Sequence, residues 1–314
     1  MKKYLYGVDV GGTSIKIGLF TIAGELIDKF DIRTRTENNG ISILPDIADA
    51  LKQHMEKQTV SHDEIHGVGV GVPGPVRDGI VNRCVNLGWG VVNVKKDLEA
   101  LINLPVSVSN DANVAGLGEL WKGSGKGYES MILLTLGTGI GGAVIVDGKV
   151  IDGISGAGGE IGHTPIPNGE NGYQCNCGKR GCLETVASAT GVVRVAKEYL
   201  STSDEPSQLR NKPQLSAKAV FDAAKAGDKL ALHVVDQFGQ NLGYVSAILA
   251  GTLNPEAIVF GGGVAKAGSI IIEAVEKYFK QYAFYAVQDV TQFKLATLGN
   301  DAGIFGAAYL AKTN

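Results

Sequence analysis

The chain has 314 residues, of which 44 are glycine and 9 proline, with 44% hydrophobic and 19% charged residues. Glycine is well above its usual ~7% share, yet glycine plus proline stays under the roughly 25–30% of low-complexity chains, which excludes a disordered or fibrous protein. A net charge of −3 at pH 7 supplies no positive field for nucleic acid or an anionic membrane, and no stretch reaches the ~18 apolar residues of a spanning helix.

The length suggests about two domains. Asp9 interrupts the first apolar run too early for a signal peptide, so a cytoplasmic protein is expected. The spacing predicts strands at Tyr4–Val10, Ile15–Phe20 and Glu25–Asp31, an opening β-meander with Gly11-Gly12-Thr13-Ser14 in its first turn. Apolar residues at 41, 44, 47, 48, 51 and 55 predict a helix over Ile41–Lys57. Strands follow at Ile65–Val72, which runs into Pro73-Gly74-Pro75, and at Val106–Val108, which ends at Asn110-Asp111 before a helix over Ala112–Trp121.

The opening pattern then recurs. Met131–Leu136, Gly137-Thr138-Gly139 and Gly142–Val146 repeat strand, glycine loop and strand, and Asp147-Gly148 reads as a tight hairpin turn. Aligning Gly11 with Gly137 lays Val8–Phe20 on Leu134–Val146, so the chain reads as two related halves. Beyond a cysteine-rich segment, Ser201–Lys212 reads as a surface loop. Helices are predicted at Ser216–Ala226, Asp228–Leu249, Ser269–Tyr282 and Ala302–Ala311, with strands at Ala257–Phe260 and Phe293–Thr297. Strands alternating with helices indicate an α/β protein.

Gly137–Gly142 matches the GxGxxG pattern, but a β-rich run follows where a dinucleotide-binding fold needs a helix, and no GxxxxGK[ST] loop is present. A glycine hairpin binds phosphate in another way: without Cβ atoms, backbone N–H groups converge closely on an anion. Each loop alone reads equally well as an ordinary turn. Two matched loops, with Gly261-Gly262-Gly263 after a third apolar strand, favour phosphate, and Asp9 is placed to hold a magnesium ion directly or through water.

Three of the four cysteines, Cys175, Cys177 and Cys182, fall within eight positions, and such clustering in a reducing compartment favours a metal over disulfides. An imidazole would complete a closed tetrahedral set suited to structural zinc. His163 is the nearest in sequence, with His54, His62 and His66 as competitors, while Cys84 reads as a small apolar residue. Asn110-Asp111 reads equally as a helix cap or as a site in which Asp111 accepts a proton.

Val8-Asp9-Val10-Gly11-Gly12-Thr13, Leu136–Gly142 and Phe260–Gly263 resemble the phosphate and adenosine motifs of the sugar kinase/actin/Hsp70 superfamily. Within it the chain, from about residue 4 to 310, resembles the ROK family, whose Glu-x-Gly-His and CxCGxxGCxE motifs are matched by Glu160–His163 and Cys175–Glu184. The resemblance implies a duplicated, two-lobed ribonuclease-H-like α/β fold with a structural zinc loop. Its expected lobes are residues 1–112 plus 299–314 and residues 113–298.

The resemblance also implies ATP-dependent phosphorylation of a hexose, glucose first, at the 6-hydroxyl. Asp111 would be the base, and Gly74, Asn86, Asn110, Glu160, His163 and Glu184 would contact the sugar. Asp9, Gly11, Gly12, Thr13, Gly137, Thr138 and Gly139 would serve the magnesium and ATP phosphates, with Gly261, Gly262 and Gly263 by the adenosine. His163 would bind zinc together with Cys175, Cys177 and Cys182, one ring nitrogen on the metal and the other facing a hydroxyl. A homodimer or homotetramer is implied, with no nucleic-acid or membrane partner. Family kinases for fructose, mannose, N-acetylglucosamine or N-acetylmannosamine are the rivals, and the Cys175-x-Cys177 spacing leans towards glucose. Sugar-sensing repressors of the family carry a helix-turn-helix ahead of this part, whereas the first phosphate-loop strand here begins at Tyr4, so a kinase is expected.

Overall fold

The computed structural model describes residues 2–167 and 169–313. The chain begins with β1 (Tyr4–Val10), β2 (Ser14–Thr21) and β3 (Leu26–Arg33), then α1 (Ile43–Lys57) and β4 (Ile65–Val72). Three two-residue strands follow, β5 (Val76–Arg77), β6 (Ile80–Val81) and β7 (Val92–Asn93), then α2 (Val94–Ile102), β8 (Val106–Asn110) and α3 (Asp111–Lys122). After these come β9 (Met131–Leu136), β10 (Ile140–Val146), β11 (Lys149–Val150), α4 (Glu184–Ala187), α5 (Ala189–Thr202), α6 (Ala217–Lys225) and α7 (Lys229–Leu253). The chain ends with β12 (Ala257–Gly261), α8 (Gly262–Ala265), α9 (Ser269–Tyr282), α10 (Tyr285–Gln288), β13 (Gln292–Leu295) and α11 (Ala302–Thr313).

Side-chain oxygens open most of the longer helices by satisfying first-turn N–H groups: Asn93 for α2, Asn110 for α3, Ser188 for α5, Ser216 for α6 and Asp228 for α7. The small β5–β7 sheet and α2 were not expected from the sequence. Two-residue strands are too short to show alternation, and α2 has only nine residues. The expected loop at Ser201–Lys212 is also more ordered than a surface connection. α5 continues to Thr202, and a 3₁₀ turn at Gln208–Asn211 buries Leu209. Asp228 holds that turn by accepting bonds from Ser207 Oγ and the Gln208 N–H, both at 2.8 Å.

Two five-stranded sheets have the orders β3-β2-β1-β4-β8 and β11-β10-β9-β12-β13. In the first, β1–β2 and β2–β3 are antiparallel while β1–β4 and β4–β8 are parallel. In the second, β12 pairs in parallel with both β9 and β13, and β10–β11 is antiparallel. The matching orders are the structural form of the repeat read from the sequence.

The chain divides into two compact units. The first comprises Met1–Gly127, Ala143–Gly159 and Leu298–Asn314, and the second Tyr128–Gly142 and Glu160–Thr297. Residues 113–127, 143–159 and Leu298 therefore fall in the first unit and not in the larger lobe expected for them. The cause is packing: α3 is continuous from Asp111 to Lys122 and lies along α11. Asp152 is bonded to Asn113, and Gly156 abuts the Val76 backbone. The outer ends of the expected first lobe, positions 1 and 314, and position 168 of the second lie outside the described residues.

In the first unit, Tyr6, Val8 and Val10 of β1 join the apolar core with α1, α2 and β4, while Leu5 belongs to the cluster that includes Ile304, Ala308 and Ala311 of α11. α11 lies so close to its neighbours that side chains are excluded at the crossings. A Cβ on Gly69 of β4 would stand 1.7 Å from the Ala307 carbonyl oxygen, and one on Gly306 would stand 1.6 Å from that of Val114. Much of the glycine excess therefore serves helix contact and not ligand binding.

Candidate active site

In the first unit, period-two alternation puts Asp9 on the α11 side of β1. Gly303 makes room for it, since a Cβ there would stand 2.4 Å from Asp9 Oδ2. Burial, and after it the neighbouring Asp111, pushes the Asp9 carboxyl up to about 6, against the opposing pull of Lys16. A carboxylate so disfavoured in its charged form is suited to a divalent cation, which would offset both causes.

Asn110 ends β8 and caps α3. Its Oδ1 accepts from the Ala112 N–H at 2.8 Å, and its Nδ2 donates to the Gly74 carbonyl at 3.0 Å. Asp111 is exposed at the first position of the helix and also accepts from the Ala112 N–H, at 2.8 Å. The capping and chemical readings of Asn110-Asp111 thus divide between the two residues: the asparagine caps, which leaves the aspartate outward at a helix N-terminus. Gly74 has φ +94°, and a Cβ there would stand 2.9 Å from the Arg83 carbonyl oxygen. The first glycine loop closes with the Gly11 N–H donating to the Ser14 carbonyl at 3.0 Å, and Thr34 brackets it through Gly11 O and Thr13 O. A Cβ on Gly12 would stand 3.8 Å from the Asn86 carbonyl oxygen, so Asn86, itself exposed, borders this loop.

In the second unit, the loop at Gly137-Thr138-Gly139 is attached to the start of α5. The Ala189 N–H donates to Gly137 O and Thr190 Oγ1 donates to Thr138 O, both at 2.8 Å. Gly261–Gly263 reaches the same place: Gly262, at φ +82°, runs over the end of β9, where a Cβ would stand 2.6 Å from the Leu136 carbonyl oxygen. Beside the loop is a cavity of about 550 Å³ lined by Thr138, Thr190, Val193, Lys197 and Leu215, among others. Apart from Thr138, these lining residues were not singled out from the sequence, because they are brought together from α5, the loop and the segment before α6.

His163, Cys175, Cys177 and Cys182 converge, with all four donor atoms within 4.8 Å of one another. His163 Nδ1 is 3.6 Å from Cys175 Sγ, and Cys177 Sγ is 3.6 Å from Cys182 Sγ. A tetrahedron with arms of about 2.3 Å has edges of about 3.8 Å, so the set fits a closed zinc site. Burial pushes the Cys182 thiol up to about 12, whereas the Lys179 backbone N–H holds the Cys177 thiol below its ordinary value. A bound cation would let all three be thiolates. Two of the competing histidines are engaged elsewhere: His54 bonds Tyr6 and Asp28, and His62 bonds the Ile102 carbonyl, while His66 lies on β4 in the first unit. With Nδ1 on the cluster, His163 turns Nε2 towards Glu160 Oε2, 3.9 Å away, and Glu160 itself is exposed.

Glu184 has a placement the sequence did not foresee. Its Oε2 accepts from the Ile140 N–H at 2.9 Å, and its Oε1 lies 3.9 Å from Cys175 Sγ. The side chain therefore joins the metal cluster to the second glycine loop, and Gly139 admits it because a Cβ there would stand 2.2 Å from Oε2.

A model of the ROK family matches residues 5–314. The chain is 47% identical over 317 aligned positions to a glucokinase of Halalkalibacterium halodurans, covering 99% of this chain and 95% of that protein. It is 35% identical over 317 positions to a glucokinase of Thermotoga maritima, covering 99% and 98%. Among solved structures, a ROK family glucokinase from Streptomyces griseus, crystallised with glucose and AMPPNP, matches with a TM-score of 0.77 at 31% identity, over 99% of this chain and 100% of that one. The similarity runs the length of the chains, so the α/β sugar kinase fold expected from the sequence is the fold present.

Proposed function

This chain belongs to the ROK family, and from that premise we propose that it transfers the γ-phosphoryl group of ATP to the 6-hydroxyl of glucose. The observation that carries the reading is the group at the top of α3. An exposed Asp111 follows a capping Asn110 bonded to Gly74, and Asp111 acts electrostatically on the half-buried Asp9 beside the first glycine loop. That arrangement supplies a proton acceptor beside a cation ligand, the pairing phosphoryl transfer requires. The glucokinase names of the relatives and the glucose and AMPPNP of the Streptomyces griseus complex support the choice of substrates.

In this proposal Asp111 takes the proton of the attacking hydroxyl while Asn110, Gly74 and Asn86 orient the sugar. Glu160, His163 and Glu184 are further sugar-contact residues. Asp9 holds magnesium, which when bound neutralises developing charge on the phosphates. Gly11–Thr13 and Gly137–Gly139 present backbone N–H groups to those phosphates, and the Thr138–Leu215 cavity with Gly261–Gly263 takes the adenosine. Structural zinc on His163, Cys175, Cys177 and Cys182 fixes the imidazole orientation. Positioning and charge neutralisation account for most of the rate, because the transition state is loose.

No helix among the described residues is long and apolar enough to cross a membrane. We take the reaction to be cytoplasmic, a reading supported by the proposed use of ATP and by clustered cysteines that form no disulfide, and assembly as a homodimer or homotetramer is expected from the family resemblance. An ADP-release assay across glucose, fructose, mannose, N-acetylglucosamine and N-acetylmannosamine tests the substrate. Glucose is expected to have the highest kcat/KM. An equal or higher value for an N-acetylated sugar overturns the assignment.

A further inference from the structure

The chain passes between the two compact units at 127/128, 142/143, 159/160 and 297/298. On the first unit's side, the segments that make these passages are all tied to α3, the helix that begins with Asp111. Glu119, on this helix, is fully buried. Its Oε2 accepts from the Ser124 N–H at 2.9 Å and from Ser124 Oγ at 3.2 Å, and its Oε1 accepts from the Leu298 N–H at 2.8 Å. Its main-chain carbonyl accepts from the Gly123 and Gly125 N–H groups at 3.0 and 2.9 Å. The chain can wrap this tightly because position 123 lacks a side chain, since a Cβ there would stand 1.9 Å from Glu119 Oε2. The segment 143–159 is fixed to the same helix by buried Asn113, whose Nδ2 donates to Asp152 Oδ1 at 2.8 Å.

Burying a carboxyl group is costly unless its oxygens are used, and an apolar residue would fill the same space without that cost. Here one side chain satisfies backbone donors from two segments that are far apart in sequence, which no apolar residue does. We propose that Glu119 is a positioning residue for phosphoryl transfer. By pinning the first unit's ends of two connections to the helix that carries Asp111, it removes slack that would otherwise let the base drift from its working position. The proposal rests on the reading of Asp111 as the base, and Asn113 does the same for the third connecting segment.

Amide hydrogen exchange on the unmodified protein, with and without glucose and AMPPNP, tests the pinning directly. The Ser124 and Leu298 amides are expected to stay protected in both states, and loss of their protection on ligand binding overturns the proposal. Glu119→Gln keeps the shape but puts an N–H₂ group against one of the two backbone donors. It is expected to lower kcat by about tenfold or more while both KM values stay within about threefold, and to speed exchange at Ser124 or Leu298. Unchanged kcat with only a lower Tm would assign Glu119 a merely structural role and overturn the proposal, as would raised KM values at intact kcat. If Glu119→Gln does not fold, Ser124→Ala removes only the hydroxyl bond, and there a fall in kcat of about twofold at unchanged KM is required. Because exchange does not read catalysis, it stands even if Asp111→Ala shows that Asp111 is not the base.

Discussion

The two glycine loops, Gly11–Thr13 and Gly137–Gly139, come from the same strand–loop–strand pattern and occupy equivalent positions in sheets of matching order, yet their surroundings differ. The first has two carboxylates for neighbours, Asp9 on its own strand and Asp111 beyond it, with burial holding Asp9 up to about 6. The second is contacted by the carboxylate of Glu184. It is bonded to α5 through Gly137 O and Thr138 O, and to the metal cluster through Glu184. A duplicated backbone therefore supplies the same glycine hairpin twice, and the flanking side chains make one copy the acidic one, proposed to hold the cation, and the other the braced one.

The comparison breaks first at Asp111. If the first loop's side performs the chemistry, Asp111→Ala lowers kcat by about 10²–10⁴ in the ADP-release assay while circular dichroism is unchanged. Turnover within about tenfold of wild type would show that another group is the base. Next is the brace. Cys177→Ser is expected to lose bound zinc, measured by metal analysis, and to weaken AMPPNP binding measured by calorimetry without sugar. Full nucleotide affinity in the zinc-free protein would uncouple cluster from loop.

Asp9→Asn separates function from stability. It is expected to abolish magnesium-dependent turnover yet stabilise the metal-free fold at neutral pH by up to about 3 kcal/mol, reduced to the extent that solvent reaches the group. The sign follows from the raised folded-state value. The native carboxyl holds its proton more tightly than the unfolded chain, so the wild type loses stability as pH rises from about 3.8 to about 6 and regains it on acidification. Denaturant titrations at pH 4 and pH 7 should show the mutant's advantage only at pH 7. The smallest effect is that of Glu184→Gln, which replaces an ionised acceptor at the Ile140 N–H with a neutral one. AMPPNP affinity should fall by about three- to tenfold, and a glucose-only defect would confine Glu184 to the sugar.

Most of the strands and longer helices were legible because their patterns are local: alternation in β1, apolar spacing in α1 and Asn110 at the head of α3. So was the candidate metal cluster, because three of its members are close in sequence, although His163 had rivals until the fold brought it to Cys175 and engaged His54 and His62 elsewhere. The lining of the Thr138–Leu215 cavity, apart from Thr138 itself, was not legible, since it joins distant segments. Nor was Glu119, because a glutamate in a helical stretch looks like any solvated charge until Leu298 is folded against it.

The α/β class, the duplication, the glycine loops and the chemistry available to Asp9, Asp111 and the cysteines are readable along the chain, because these depend on residue type and short-range spacing. Folding alone makes Asp9 half-buried near a second carboxylate, brings Glu184 to a backbone N–H, and gives several glycines a place against α11 and not against a ligand. Each of those outcomes depends on desolvation or close approach between segments far apart along the chain, and such distances arise only on folding.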